Sequence, residues 1–160
     1  MVDSTKMVIF ATDFMKKLLY IPLFFILFAS CEYVAEHEVQ RAATSFGKAY
    51  FSWHLRDALP LTTPESHEWI SFAASQLRDT DIAVIKHAGD VITEIDECVV
   101  ENDTLASVRL RVQNFCQADT LGKPVRRIDE AYFRFPLVKR EDKWLVRMVS
   151  PLRSEKKNRD

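Results

Sequence analysis

Residues 91–116 read VITEIDECVVENDTLASVRLRVQNFC. Two runs in it, Val91–Val100 and Leu105–Cys116, alternate apolar and polar side chains with the period of a strand, and Glu101-Asn102-Asp103-Thr104 between them is rich in turn formers. With Asn102-Asp103 as a two-residue loop, Glu101 opposes Thr104, and the pairing can be followed along both strands. Ile95 then faces Leu110 and Val99 faces Ala106 on an apolar face, with Glu97 opposite Val108 among them. On the other face Glu94 meets Arg111 and Asp96 meets Arg109. One register aligns both sets, which predicts a β-hairpin with a dry face and a wet one. The same register puts Cys98 on the wet face and Cys116 on the dry one, so no disulfide is expected between them unless a β-bulge flips the parity.

Downstream the logic repeats. Ala131, Phe133, Phe135 and Leu137 alternate with Tyr132, Arg134 and Pro136; Lys139–Asp142 turn the chain, and Trp144, Val146 and Met148 alternate on its return. Gly122-Lys123-Pro124 marks the loop between the hairpins. Upstream the period becomes helical. Ala35, Val39, Ala42, Phe46, Ala49 and Trp53 form one apolar stripe, predicting a helix from Tyr33 to Leu59 that Pro60 stops. Thr63-Pro64-Glu65 has the N-cap hydroxyl, first-turn proline and first-turn acid of a second helix start, with Trp69, Phe72, Ala73, Gln76 and Leu77 as its inner face. Asp79–His87 reads as a third short helix or a strand, with helix favoured. Two or three helices followed by four antiparallel strands predict an α+β domain in which amphipathic helices cover the apolar face of a sheet.

The chain has 160 residues, enough for one ordinary domain, and 22 Lys+Arg against 23 Asp+Glu, which argues against nucleic-acid binding by charge. Glycine occurs only at 47, 89 and 122, so no glycine-rich phosphate loop can form. Neither cysteine nor histidine spacing suggests a metal site, and no cofactor motif is found; His54, His67 and His87 lack ligand-spaced partners. The Arg153–Arg159 tail (RSEKKNR) mixes charges like a solvated terminus.

Ahead of the domain, Met15–Cys31 reads MKKLLYIPLFFILFASC. Lys16 and Lys17 precede an apolar run, Leu18–Phe28, of signal-peptide length and shorter than the roughly 20 residues of a membrane span. The small residues Ala29 and Ser30 before Cys31 resemble the lipobox of bacterial lipoproteins, with Phe28 where leucine is usual. The expectation is a signal peptide over residues 1–30, its true start at Met15, and a mature chain over 31–160. Cys31 would carry palmitate-type acyl chains that tether the protein to a membrane in the cell envelope, facing the periplasm or the cell surface.

The element order, with Ala43–Phe51 (ATSFGKAYF), Thr62–Glu65 and Phe135–Val146 (FPLVKREDKWLV), resembles the nuclear-transport-factor-2-like group of the cystatin-like fold, in particular the small secreted lipoproteins of unknown function common in Bacteroidetes. The resemblance covers nearly all of residues 31–160. It implies a cone, a curved antiparallel sheet wrapped around helices, with a hollow inside; it carries over no agreed activity.

Three functions follow as expectations. The first is a non-catalytic module binding a small apolar ligand or an envelope protein, with Tyr50, Trp53, Trp69, Glu97, Phe133, Phe135 and Trp144 lining the hollow. The second is a pocket enzyme of the ketosteroid-isomerase or dehydratase type that the resemblance admits, with Glu97 as base and Tyr50 as hydroxyl, although no motif aligns the two. The third is a structural surface lipoprotein that self-associates, as a homodimer, through its sheet. The plainer accounts are that the aromatics are simply core and that Glu97 reaches solvent.

Overall fold

The computed structural model describes residues 35–118 and 124–155. The expected signal segment, Cys31, the loop around Gly122 and most of the basic tail lie outside them. Contacts divide the chain into Met1–Ala35 and Glu36–Asp160, and the architecture below is that of the second unit.

Four strands form one antiparallel sheet in the order β1-β2-β3-β4: β1 Ile92–Asn102, β2 Leu105–Gln117, β3 Arg126–Arg140 and β4 Lys143–Val146. Helix α1, residues 35–51, lies on its inner face and places Val39, Ala43 and Phe46, all fully buried, against Val108, Leu110, Phe135 and Leu137. Gly47 permits this approach, since a Cβ there would stand 2.3 Å from Leu110 Cδ2. The expected α+β architecture, helices covering a curved antiparallel sheet, is the one observed.

Helix α1 ends earlier than the stripe predicts. Trp53 adopts a left-handed φ of 62°, its N–H donates to Tyr50 O (3.1 Å), and the His54 N–H donates to Ala49 O (2.9 Å). This pairing of bonds closes a helix end, usually around glycine. Here a tryptophan takes the position, and its indole Nε1–H donates to Cys116 O at 2.9 Å. A tertiary hydrogen bond thus offsets a backbone penalty of about 1–2 kcal/mol. The chain resumes as a single helical turn, α2 Leu55–Ala58, and Pro60 falls in a 3₁₀ turn, Leu59–Leu61, rather than at the end of α1.

The second helix starts where expected. Thr63 is extended, Pro64–Ser66 form a 3₁₀ turn, and α3 runs His67–Ser75. The Thr63 hydroxyl bonds the Ser66 hydroxyl (2.8 Å), and Ser66 Oγ accepts the Met148 N–H (2.8 Å), so this buried polar cluster ties α3 to the chain leaving β4. Ala73 is buried and Trp69 and Leu77 pack on the core as predicted, whereas Phe72 is 42% exposed and Ile70, outside the predicted face, is buried.

Residues Asp79–Lys86 form α4. Its anchor is Asp81, 1% exposed, whose carboxylate accepts the N–H of Arg78 (3.1 Å) at the helix start and of Val125 (3.1 Å) at the approach to β3. The Arg78 guanidinium and then the Val125 amide hold its pKa below the usual carboxylate range, against the effect of burial.

The hairpin register is as predicted through Glu94↔Arg111 and Ile95↔Leu110, then shifts. An irregularity at Asp96 sets Glu97 opposite Arg109, Cys98 opposite Val108 and Val100 opposite Ala106. A single extra residue reverses the parity of the rest of the strand. Glu97 therefore lies on the exposed side, Val99 is 42% exposed, and Cys98 packs against the core, each contrary to the predicted faces. The loop also moves, to Asp103-Thr104. Asn102 Oδ1 accepts the N–H groups of Thr104 (2.9 Å) and Leu105 (3.0 Å), so the asparagine enters the turn through its side chain instead of its backbone. In the β3–β4 turn both Glu141 (φ 48°) and Asp142 (φ 59°) are left-handed, as the tightest hairpin turns require.

Candidate ligand-binding site

Beyond the C-terminal end of α1 the aromatic core opens. Phe51 touches Phe133 and Phe115 (ring centroids 4.4 and 5.3 Å), and Phe115 meets Phe133 edge-on (5.6 Å). Phe115 reaches the inner side because Asn114 takes a left-handed φ of 64°, breaking the alternation of β2 after Val112. These rings, with Tyr50 from α1, Trp53 just beyond its end and Phe72 from α3, wall a cavity of about 80 Å³, and Pro151 and Leu152 complete it from the chain beyond β4.

No carboxylate, imidazole or cationic side chain lines this cavity among the described residues; its polar side chains are Tyr50, Trp53, Gln76, Gln117 and the Cys116 thiol. Tyr50 stacks on Phe46 (5.4 Å), and burial pushes its phenol up to about 12. It stays protonated with its O–H available to donate, and no described residue accepts from it. Burial also raises the thiols of Cys98 and Cys116, with Glu36 adding to the first and Arg127 opposing the second. Neither is an activated nucleophile. Both are free; Cys98 pairs with Val108, eight residues along β2 from Cys116, which is far beyond disulfide reach at roughly 3.3 Å per residue.

Of the residues singled out from sequence, the structure brings Tyr50, Trp53 and Phe133 together at the cavity. Phe135 is buried beside them in the core, edge-on to Phe46 at 5.4 Å. Trp69 borders a separate surface hollow near Arg140 and Met148. Trp144 packs at the opposite end of α1, beside Ala42 and Pro60, with its buried indole N–H unpartnered. Glu97 is outside altogether, its carboxylate 2.6 Å from an Arg134 nitrogen on the outer face of the sheet. The pair Glu97 and Tyr50 therefore occupies opposite faces and cannot act on one substrate. Among the described residues no three or more His, Cys, Asp or Glu side chains converge as a metal site would need. Sequence reasoning missed Phe115, Phe72, Pro151 and Leu152. Phe115 alone carried a signal, its position two residues after Gln113 in an otherwise alternating run.

The sequence matches no protein-family model and no curated protein. Two solved structures are similar in fold. One is a candidate NTF2-like transpeptidase from Campylobacter jejuni, 21% identical, with a TM-score of 0.43, covering 66% of this chain and 94% of that one. The other is an NTF2-like protein of unknown function from Shewanella oneidensis, 13% identical, with a TM-score of 0.48, covering 74% and 96%.

Proposed function

We propose that this chain is a lipid-anchored envelope protein whose domain is a non-catalytic module holding a small, largely apolar ligand in the cavity at the end of α1. One observation carries the reading: an aromatic cavity without a charged side chain, into whose wall is set a phenol that stays protonated and has no acceptor. An apolar body supplies the binding energy there, at about 25 cal/mol per Å² buried, and one acceptor atom on the ligand would orient it through Tyr50. Catalysis has no support in the same wall, since the acid nominated for it faces solvent across the sheet.

The anchor rests on the signal-like run and the small residues before Cys31. Two or more acyl chains on that cysteine would hold the domain stably at a membrane where one chain binds marginally. The test expresses the full chain in a bacterium, extracts it in detergent without reducing agent, and records its intact and native mass. Loss of residues 1–30 with an acyl mass on Cys31, absent in Cys31→Ala, is the expected result, together with a retained molecule that Phe133→Ala releases. An unprocessed chain removes the anchor. A bare domain that binds no apolar probe removes the ligand-holding role.

A further inference from the structure

Trp53 has two sides. One walls the aromatic cavity; the other, with Phe51 and Cys116, borders a second and larger cleft of about 430 Å³ between the end of α1, the end of α4 and the start of β1. Its polar lining differs in kind. Lys48 from the last turn of α1, Lys86 from the last turn of α4 and His54 beyond α1 line the cleft, with Asp90 the one acid among the described residues of its lining. None of the three basic side chains forms an ion pair or side-chain hydrogen bond. The N–H groups of Gly89 and Asp90, on the same rim, likewise donate to no described acceptor.

The rim also holds three of the five positive-φ positions among the described residues. Trp53 (φ 62°), Gly89 (φ 83°) and Asn114 (φ 64°) all border it, and two of these three left-handed positions carry side chains. Non-glycine residues in that region cost on the order of 1–3 kcal/mol and persist where surroundings over-determine them. Here the surroundings are visible: the Trp53 indole on Cys116 O, the Asn114 amide nitrogen on Asp90 O (3.4 Å), and the Arg127 guanidinium on Asn114 Oδ1. Arg127 brings a further positive charge to the edge of the cleft.

We infer that this cleft seats an anionic group, a carboxylate or a phosphate, borne by the ligand whose apolar part enters the neighbouring cavity. The inference rests on the binding role proposed above and narrows its ligand to an amphipathic anion. Such a molecule lies along the Trp53 indole, with its rings or chain among Phe51, Phe115 and Phe133 and its head between Lys48 and Lys86. The size supports it. The cavity alone is smaller than the 300 Å³ and above that is the rule for ligand sites, and the cleft that it adjoins supplies the remaining space.

The experiment titrates the full chain with naphthoate, with its uncharged isostere naphthamide and with inorganic phosphate, following tryptophan fluorescence and heat. Wild type is expected to hold naphthoate about ten-fold or more tighter than naphthamide. Lys48→Ala/Lys86→Ala should abolish that preference and leave naphthamide affinity unchanged. Equal binding of the two naphthyl probes, unaffected by the double substitution, overturns the anion site and leaves the apolar cavity standing. Failure of both to bind overturns the cavity and the inference with it. Phosphate binding that needs the two lysines, without any gain from a naphthyl group, overturns the claim that one ligand spans both spaces. Unchanged thermal melting of the double variant verifies that its fold is intact.

Discussion

On the outer face of the sheet Arg109, Arg111 and Arg134 each stand within 3.1 Å of a carboxylate oxygen; in the cleft beside Trp53, Lys48, His54 and Lys86 are paired with none. The outer arginines face one another across the strands, Arg109 directly opposite Arg134, an arrangement that would repel if left bare. Asp96, Glu97 and Glu155 occupy the space around them, and Glu155 bridges both, 2.8 Å from Arg109 and 3.1 Å from Arg134. The arginines of that face are ion-paired, and apart from the register shift at Asp96 its backbone is unstrained, since none of these residues has a left-handed φ. The cleft is incomplete, and its backbone is strained. Charge left unpaired next to strain and free volume is charge available to a ligand, while charge paired in register holds a surface in solution.

The largest effect that would sharpen this contrast is at Trp53. Trp53→Ala removes half-buried aromatic packing and the bond to Cys116 O, and should cost about 2–3 kcal/mol in chemical denaturation. Trp53→Gly loses the same contacts yet relieves the left-handed strain, so it should be more stable than the alanine variant by about 1 kcal/mol. An alanine variant as stable as the glycine variant, or more so, would mean that the rim is not strained, and half the contrast would go.

Next comes Asp81, a carboxylate paired like those outside but sealed inside. Its folded pKa lies below the unfolded value near 3.9, so its contribution is present above that value and lost as pH falls through the folded one. Asp81→Asn should melt below wild type at neutral pH. The gap should narrow as pH drops below about 4, as calorimetry across that window would record. A gap that stays constant to the acid limit would show that the carboxylate matters for shape alone.

Glu155→Gln tests the outer face itself. Its partners are 33% and 41% exposed, so the expected loss is at most about 1 kcal/mol and should fade in high salt. A larger, salt-resistant loss would make the chain end a structural strap, since the Glu155 N–H also donates to Tyr132 O (2.8 Å) and Leu152 packs on the core.

The two regions were unequally legible in the sequence. Charges on the outer face stood out because Glu94 and Arg111 sit in one register with Ile95 and Leu110, and period two reports such pairs directly. The same counting then misplaced Glu97 and Cys98, because the irregularity at Asp96 has no composition signal: no glycine marks it. The cleft was not legible at all. Lys48, Lys86 with Gly89, and Asn114 come from three separate parts of the chain, and the turn that joins them depends on Trp53 leaving the helix. The apolar stripe ran straight through that position, since a left-handed tryptophan looks like any other core aromatic in a helical pattern. Asp81 was hidden for a related reason: its second partner, Val125, lies 44 residues away.

The smallest effect expected is also the one that most directly divides the two regions. Lys48→Ala/Lys86→Ala removes two exposed cations that form no ion pair or side-chain hydrogen bond within the fold, so the folding free energy should stay within about 0.5 kcal/mol of wild type. Relief of repulsion between cations sharing one cleft could even raise it slightly, and added salt should then erase the gain. Set beside Glu155→Gln, the comparison is clean. Removing one paired charge outside should destabilise the domain, while removing two unpaired charges inside the cleft should not. If the lysine variant instead lost stability like the glutamate variant, Asp90 would be their internal partner, and the cleft would be another solvated surface.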